Sequence, residues 1–304
     1  MDKKKTPVVL FAYDRPEHLS ETIRALRANK EALDTDLIVY SDASAAGVAS
    51  ERVGQVRKIL RAIDGFRSVT ITERETNFGL SRSIIDGVTS LCADYGRVIV
   101  LEDDMIVSRH FLAFMNEALE MYENCENVAS IHGYVYPVGS SLPDTFFLRG
   151  ADCWGWATWA RAWKHFNPDG RQLLEELERR KLVPVFDFNK TFGFTYMLRA
   201  QIDGKVDSWA VRWYASAFLR NMYTLYPGRP LVRNIGIDGS GVHCAQSEKF
   251  TTTLSNSPIN VVRIEVMDND IARKAFEQYF TSIKPNVISR AADKLLQFLT
   301  VPRK

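Results

Sequence analysis

Three consecutive carboxylates, Glu102, Asp103 and Asp104, stand at the end of the apolar run Val98-Ile99-Val100-Leu101. Adjacent like charges disfavour one another's ionisation unless something cationic sits among them, and a divalent metal carrying a phosphate is the natural cation for such a place. The competing reading is structural, with the acids capping the helix that follows or pairing with Arg109. Asp14 and Arg15 follow another apolar run, and Asp42 a third, where it could equally close a turn. The other chemistry-bearing types are less suggestive. His18, His110, His132 and His165 show no ligand spacing. Cys92, Cys125, Cys153 and Cys244 are far apart, without the Cys-x-x-Cys pair that zinc or redox chemistry would use, so they read as reduced thiols.

The carboxylates must be positioned by the elements around them. Over the first 135 residues short apolar runs alternate with helical patterns, the signature of βαβ units and a largely parallel sheet. Strands are predicted over 8–12, 37–41, 69–72, 98–101 and 128–131. Between them the helical faces are Leu19, Ile23 and Leu26 after Pro16; Val53, Val56 and Leu60; and Leu80, Ile84, Val88 and Leu91, with a further helix over 109–122. The run leading to Glu102 is continuously apolar and rich in β-branched residues, as a strand buried on both faces would be. In an open sheet of this kind ligands bind beyond the carboxyl ends of the strands, which is where all three acidic groups fall. From residue 134 to about 234 the alternation gives way to loops and to helices predicted over 171–181, 190–201 and 208–220.

All six tryptophans lie between Trp154 and Trp213. Trp156, Trp159 and Trp163 recur at spacings of three and four, as do Trp209 and Trp213, which predicts helix faces packing into a core. The chain has 304 residues, of which 46% are hydrophobic and 25% charged, so it has a core to fill and is neither collagenous, disordered nor a disulfide scaffold. Its formal charge of +2 is too balanced for a protein that coats nucleic acid. That balance hides a basic stretch from Arg273 onward, +5 against −3 for the rest, in which Ile288, Ala291, Ala292, Leu295, Phe298 and Leu299 follow helical spacing. Such a segment suits an anionic membrane surface, or packing on protein. No segment approaches eighteen apolar residues, and the simplest expectation is a cytoplasmic protein.

The strand ending Val100-Leu101-Glu102-Asp103-Asp104, followed by Ser108-Arg109-His110-Phe111-Leu112, resembles the acidic metal motif of GT-A-fold glycosyltransferases. More narrowly it resembles the N-acetylglucosaminyltransferase that begins N-glycan branching and related bacterial polysaccharide glycosyltransferases. Ala12-Tyr13-Asp14-Arg15 resembles the nucleotide-base loop, Ser41-Asp42 the base-contacting aspartate, and Leu80-Ser81-Arg82 the helix approaching the nucleotide. Residues 149–156 resemble the floor of the sugar pocket, Asp207-Ser208-Trp209-Ala210-Val211-Arg212 the catalytic-aspartate helix, and 226–243 the closing Gly-x-x-His region. Two positions depart from the pattern: Ser208 replaces the second aspartate of an Asp-Asp-Trp, and Ser83 stands where a histidine would face the base.

The resemblance implies an α/β GT-A fold, Rossmann-like, with a mostly parallel central sheet flanked by helices. It implies a domain over 1–267, divided into a nucleotide-binding half (about 7–133) and an acceptor and sugar half (about 134–267), before a helical basic tail, 268–304. The activity it implies is metal-dependent, inverting transfer from a nucleotide diphosphate-sugar, UDP-sugar favoured, to a glycan or lipid-linked glycan in bacterial surface polysaccharide assembly. Asp104 would hold Mn²⁺ or Mg²⁺, with Arg15, Asp42, Arg82 and Asp103 on the nucleotide and Asp207 as base. Glu102, Asp152, Trp154, Trp209 and His243 would face sugar or acceptor. For Asp207 the plain alternative is a helix cap; for Asp152, His243 and the tryptophans it is packing. Two other activities remain open: a sugar nucleotidyltransferase, whose glycine-rich loop is absent at residues 13–18, and a degenerate carbohydrate-binding subunit. With no membrane span, the protein would work in the cytoplasm, peripheral on the inner face of the plasma membrane through its tail.

Overall fold

A computed structural model describes residues 6–45, 51–237 and 248–284. The first half follows the predicted alternation: β1 (Val8–Ala12), α1 (Pro16–Arg27), β2 (Asp36–Ser41), α2 (Glu51–Leu60), β3 (Ser68–Glu73), α3 (Leu80–Tyr95) and β4 (Arg97–Glu102). Pro16 opens α1, where its missing N–H costs nothing, and Leu19, Ile23 and Leu26 are buried. Ile84, Val88 and Leu91 are buried along α3, whereas Leu80, in its first turn, is 44% exposed. A short β5 (Met105–Val107), unpredicted, precedes α4 (Phe111–Met121) and β6 (Val128–His132).

The second half returns to the same sheet with β7 (Thr145–Leu148), β8 (Trp156–Trp159) and, after α5 (Ala160–Trp163), α6 (Gly170–Arg179), α7 (Val183–Phe186), α8 (Phe194–Ile202) and α9 (Trp209–Leu219), with β9 (Tyr223–Pro227). Then come β10 (Val232–Asn234) and α10 (Asp270–Ile283). Eight strands form one sheet in the order β3-β2-β1-β4-β8-β6-β9-β7, and β5 pairs with β10 in a separate antiparallel ribbon. Strands β3, β2, β1 and β4 run parallel; β8 enters antiparallel between β4 and β6, and β7 is antiparallel to β9. This mixed α/β sheet, mostly parallel and flanked by helices, is consistent with a GT-A-like fold.

The tryptophan spacing misleads at one point. Trp156 and Trp159 lie on strand β8, buried on both faces, and only Trp163 and the pair on α9 are helical. Burial itself is as the pattern requires: Trp156 stacks on Trp209 with ring centroids 5.3 Å apart, and Trp163 meets Trp213 at 5.0 Å. A second aromatic cluster seats α10, whose Phe276 and Phe280 pack edge-on against Tyr136 at 5.0 and 4.8 Å. No helix among the described residues is long and apolar enough to cross a membrane. His243 and the apolar stripe from Ile288 to Leu299, with the membrane contact expected of it, lie outside the described residues.

Candidate active site

Strand order reverses at β1, which has β2 on one side and β4 on the other. The chain leaves β1 at Tyr13 and β4 at Glu102, so both exits open into the crevice where doubly wound sheets bind ligands. Two contacts close it. The backbone N–H of Tyr13 donates to Asp103 Oδ2 at 3.1 Å, and Arg15 Nη1 donates to Asp104 Oδ2 at 2.7 Å. The hydroxyl of Thr22, on α1, donates to the Asp103 carbonyl. Arg15, expected near the base, is thus brought to the last of the three carboxylates.

The β5–β10 ribbon completes the wall. It carries the chain back so that the Ile235 N–H donates to the Asp104 carbonyl at 2.9 Å and Gly236 lies directly over the Arg15–Asp104 pair. A Cβ on Gly236 would stand 2.0 Å from Asp104 Oδ2 and 2.6 Å from Arg15 Nη1, so any other residue must displace the pair. Asp103 and Asp104 are buried and Glu102 half-buried. Burial, then the charges of the neighbouring acids, holds the Glu102 carboxyl well above its ordinary range and pushes Asp103 up to about 7. Asp104 is raised by burial and partly drawn back by Arg15.

One oxygen of this cluster, Asp104 Oδ1, is buried without a hydrogen-bond partner. Three crowded acids with a spare, desolvated oxygen fit a divalent cation, whose charge would relieve both burial and mutual repulsion. Among the described residues no three His, Cys, Asp or Glu side chains converge as a complete cage. Mg²⁺-type ions need none, since one or two carboxylates suffice when substrate phosphates supply the other oxygens.

Asp42, at the end of β2, is buried and its carboxylate is spent on backbone. It accepts from the N–H groups of Ala43, Phe78 and Gly79 at 2.9 to 3.2 Å, fixing the loop that enters α3. Gly79 takes φ +72°, a conformation other side chains rarely adopt, to present that N–H. Arg82 is exposed on α3, and its guanidinium lies 4.0 Å from the centre of the Phe78 ring, as does that of Arg74. Arg74 also donates to Ser83 Oγ at 2.5 Å.

Asp207 is not the cap of α9. Ser208 is, accepting from the Val211 N–H, which leaves the Asp207 carboxylate 68% exposed and held by Arg212 Nη2 at 3.1 Å. Arg212 is itself buried and pinned by the Ser208 and Pro168 carbonyls and by Ser81 Oγ on α3, so it fixes the aspartate against the rest of the fold.

A cavity of about 420 Å³ is lined by Asp152, Cys153, Trp154, a set of aromatic rings, Ser208, the residue after Asp207, and Ile237, the residue after Gly236. Asp152 accepts hydrogen bonds at 2.6 Å from the hydroxyls of Tyr136 and Tyr226, and His132, wholly buried, stands 3.9 Å from it. Burial lowers the His132 pKa to about 4. The Cys153 thiol is pushed well up by burial and by the charges of Glu102, Asp152 and Asp104, which places it within electrostatic reach of both acidic groups. Trp154 lines the cavity, while Trp209 is 3% exposed in the tryptophan core and forms no part of its wall.

Sequence reading alone did not single out Arg74, Phe78, His132, Tyr136, Cys153, Arg212, Tyr226 or Gly236 for these places. Arg212, five residues after Asp207, and the glycine-rich stretch at 236 carried usable signals. The tyrosines carried none, because they reach Asp152 from segments distant in sequence, Tyr136 from the loop after β6 and Tyr226 from β9.

No protein-family model matches the sequence, and no curated protein matches it. Among solved structures, a mannosyltransferase from Pyrobaculum calidifontis in complex with GDP-Man and Mn²⁺ is similar over 57% of this chain, at 14% identity and a TM-score of 0.33. The likeness spans 47% of that structure's length.

Proposed function

We propose that the chain is a metal-dependent, inverting glycosyltransferase that moves a sugar from a nucleotide diphosphate-sugar, a UDP-sugar in the first instance, to an acceptor hydroxyl in bacterial surface polysaccharide or glycoconjugate assembly. The observation that carries this reading is the crevice at the strand switch, where Asp104 presents an unpartnered buried oxygen beside Arg15; a cavity lined by Ser208, the residue after the exposed Asp207, supports it. A divalent ion at Asp104 would neutralise charge on the departing diphosphate. Arg15, already paired there, would offer its remaining N–H groups to phosphate oxygens.

Asp207 takes the proton of the acceptor hydroxyl as its oxygen bonds to the anomeric carbon. The bond from that carbon to the diphosphate oxygen breaks on the opposite side and its electron pair leaves with the nucleotide diphosphate. A single displacement of this kind inverts the anomeric centre. Arg212 contributes by holding the carboxylate in one orientation before the acceptor arrives. Asp42 contributes by shaping the Phe78–Gly79 loop beside the nucleotide. Asp103, tied to the Tyr13 N–H, sets the distance between the two strand exits.

The direct test is a panel of nucleotide sugars with Mn²⁺ or Mg²⁺, read by thermal shift and by release of nucleotide diphosphate. Metal-dependent stabilisation by a nucleotide diphosphate together with turnover of one donor is the expected result. Stabilisation by none of them would end the reading.

A further inference from the structure

The cavity behind the proposed reaction centre is too apolar for a sugar ring alone. Its wall is built from the rings of Tyr136, Trp154, Phe188, Phe194 and Tyr214 with Met197, and among the described residues that line it Asp152 alone is charged. Both Asp152 oxygens already hold phenol hydroxyls, and the Ser208 hydroxyl caps α9. A hexose filling this space would leave most of its hydroxyls facing hydrocarbon, an arrangement that buried polar groups avoid. Its volume, about 420 Å³, has room for roughly fifteen carbon atoms on the scale of a ~150 Å³ cavity that takes benzene.

The charges fix the character of the occupant further. Asp152 lines the cavity and no Lys or Arg among the described residues lines it, so an anionic group would meet a like charge with no cation to offset it. Ser208, next to Asp207, and Ile237, next to the glycine over Asp104, both border the cavity, so whatever fills it is attached close to the reacting hydroxyl. From these observations we infer that the cavity takes a neutral hydrocarbon group, alkyl or prenyl in kind, carried by the acceptor within a few bonds of the hydroxyl that is glycosylated. The word acceptor rests on the transferase reading; the preference for a neutral hydrocarbon rests on the cavity itself. Met197, on α8, lines the cavity and is 38% exposed, so its flexible side chain marks the solvent side, where a chain would enter.

The test uses the full chain and three probes kept below micellar concentration: methyl glucoside, n-octyl glucoside and octanoate, titrated calorimetrically and by Trp fluorescence. Octyl glucoside should bind at least tenfold more tightly than methyl glucoside, since each fully buried methylene is worth up to about fourfold. Octanoate, whose alkyl chain is one carbon shorter, should bind more weakly than octyl glucoside by more than the about fourfold that one methylene is worth. Ala210→Leu, which fills the cavity from α9, and Met197→Glu, at a partly exposed position that tolerates polarity, should each erase most of the octyl advantage, while Met197→Leu keeps it. Equal affinities for methyl and octyl glucoside, or an octyl advantage that survives both Ala210→Leu and Met197→Glu, would overturn the inference. The same preparation is titrated with UDP and with GDP in the presence of Mn²⁺. Nucleotide binding without an octyl preference sinks the cavity assignment alone, whereas an octyl preference with no nucleotide binding sinks the transferase reading and with it the identification of the occupant as an acceptor.

Discussion

At the scale of single residues, the informative contrast is between Asp207 and Ser208. A carboxylate before a helix is an ordinary cap, the plain alternative to the role of base that the resemblance implies for Asp207. The structure gives the cap to Ser208 and leaves Asp207 exposed on a buried arginine, so the two can be separated by mutation. Asp207→Asn should lower kcat by about 10² to 10⁴-fold, the usual worth of a general base, with no loss of helix stability or of nucleotide affinity. Ser208→Ala should do the reverse, costing about 1 kcal/mol in denaturant unfolding. Steady-state kinetics and urea titrations on the pair check both; an Asp207→Asn enzyme with near-normal turnover removes it as the base. Arg212→Met should lower kcat more than it changes the donor KM, because it frees the carboxylate while the Asp42-bound loop and the Arg15–Asp104 pair, neither of which it contacts, stay in place. Equal effects on both would instead mark Arg212 as a general packing residue joining α9 to α3.

At the scale of elements, the first half of the fold was legible because each strand and helix there declares its own period. Pro16, the spacing Leu19-Ile23-Leu26 and the apolar run 98–101 each specify one element locally, and the acids after β1, β2 and β4 could be placed from that alone. The second half depends on pairings between distant segments. Strand β8 is four residues long, carries tryptophans three apart and is buried on both faces, so periodicity could not tell it from the helix that starts at Ala160. Strands β5 and β10 are three residues each and become a ribbon only by meeting across more than a hundred residues. That ribbon is what delivers Gly236 to Asp104, and it invites a test. Gly236→Ala puts a methyl group where the Arg15–Asp104 pair now lies, so the pair must part. Affinity for a nucleotide diphosphate in the presence of Mn²⁺ should fall at least tenfold by calorimetry while circular dichroism is unchanged. Unaltered affinity would mean that the pair does not belong to the diphosphate site.

At the scale of the whole molecule, groups of opposite titration behaviour are buried in one sheet, and their balance sets how stability varies with pH. His132 lies at the end of β6 with its ring wholly buried and its pKa lowered from 6.5 to about 4. An unfolded chain takes up a proton at this residue below about pH 6.5, whereas the folded one refuses it until about pH 4. Between those values unfolding is therefore favoured increasingly as pH falls, and the full contribution, about 3 kcal/mol, is present above pH 6.5 and lost by pH 4. The carboxyls of Glu102 and Asp103, raised by burial and by each other, act with the opposite sign, since the folded state holds their protons longer than the unfolded one. Wild-type stability alone therefore cannot isolate the histidine, but a difference can. His132→Gln removes the titrating group while leaving the acids in place, so the gap between wild type and variant, measured by urea unfolding at steps from pH 7 to pH 4, should change by about 3 kcal/mol in favour of the variant. Parallel curves would mean that the His132 ring gains a proton in the folded state after all, with Asp152, 3.9 Å away, compensating its charge in the cavity floor.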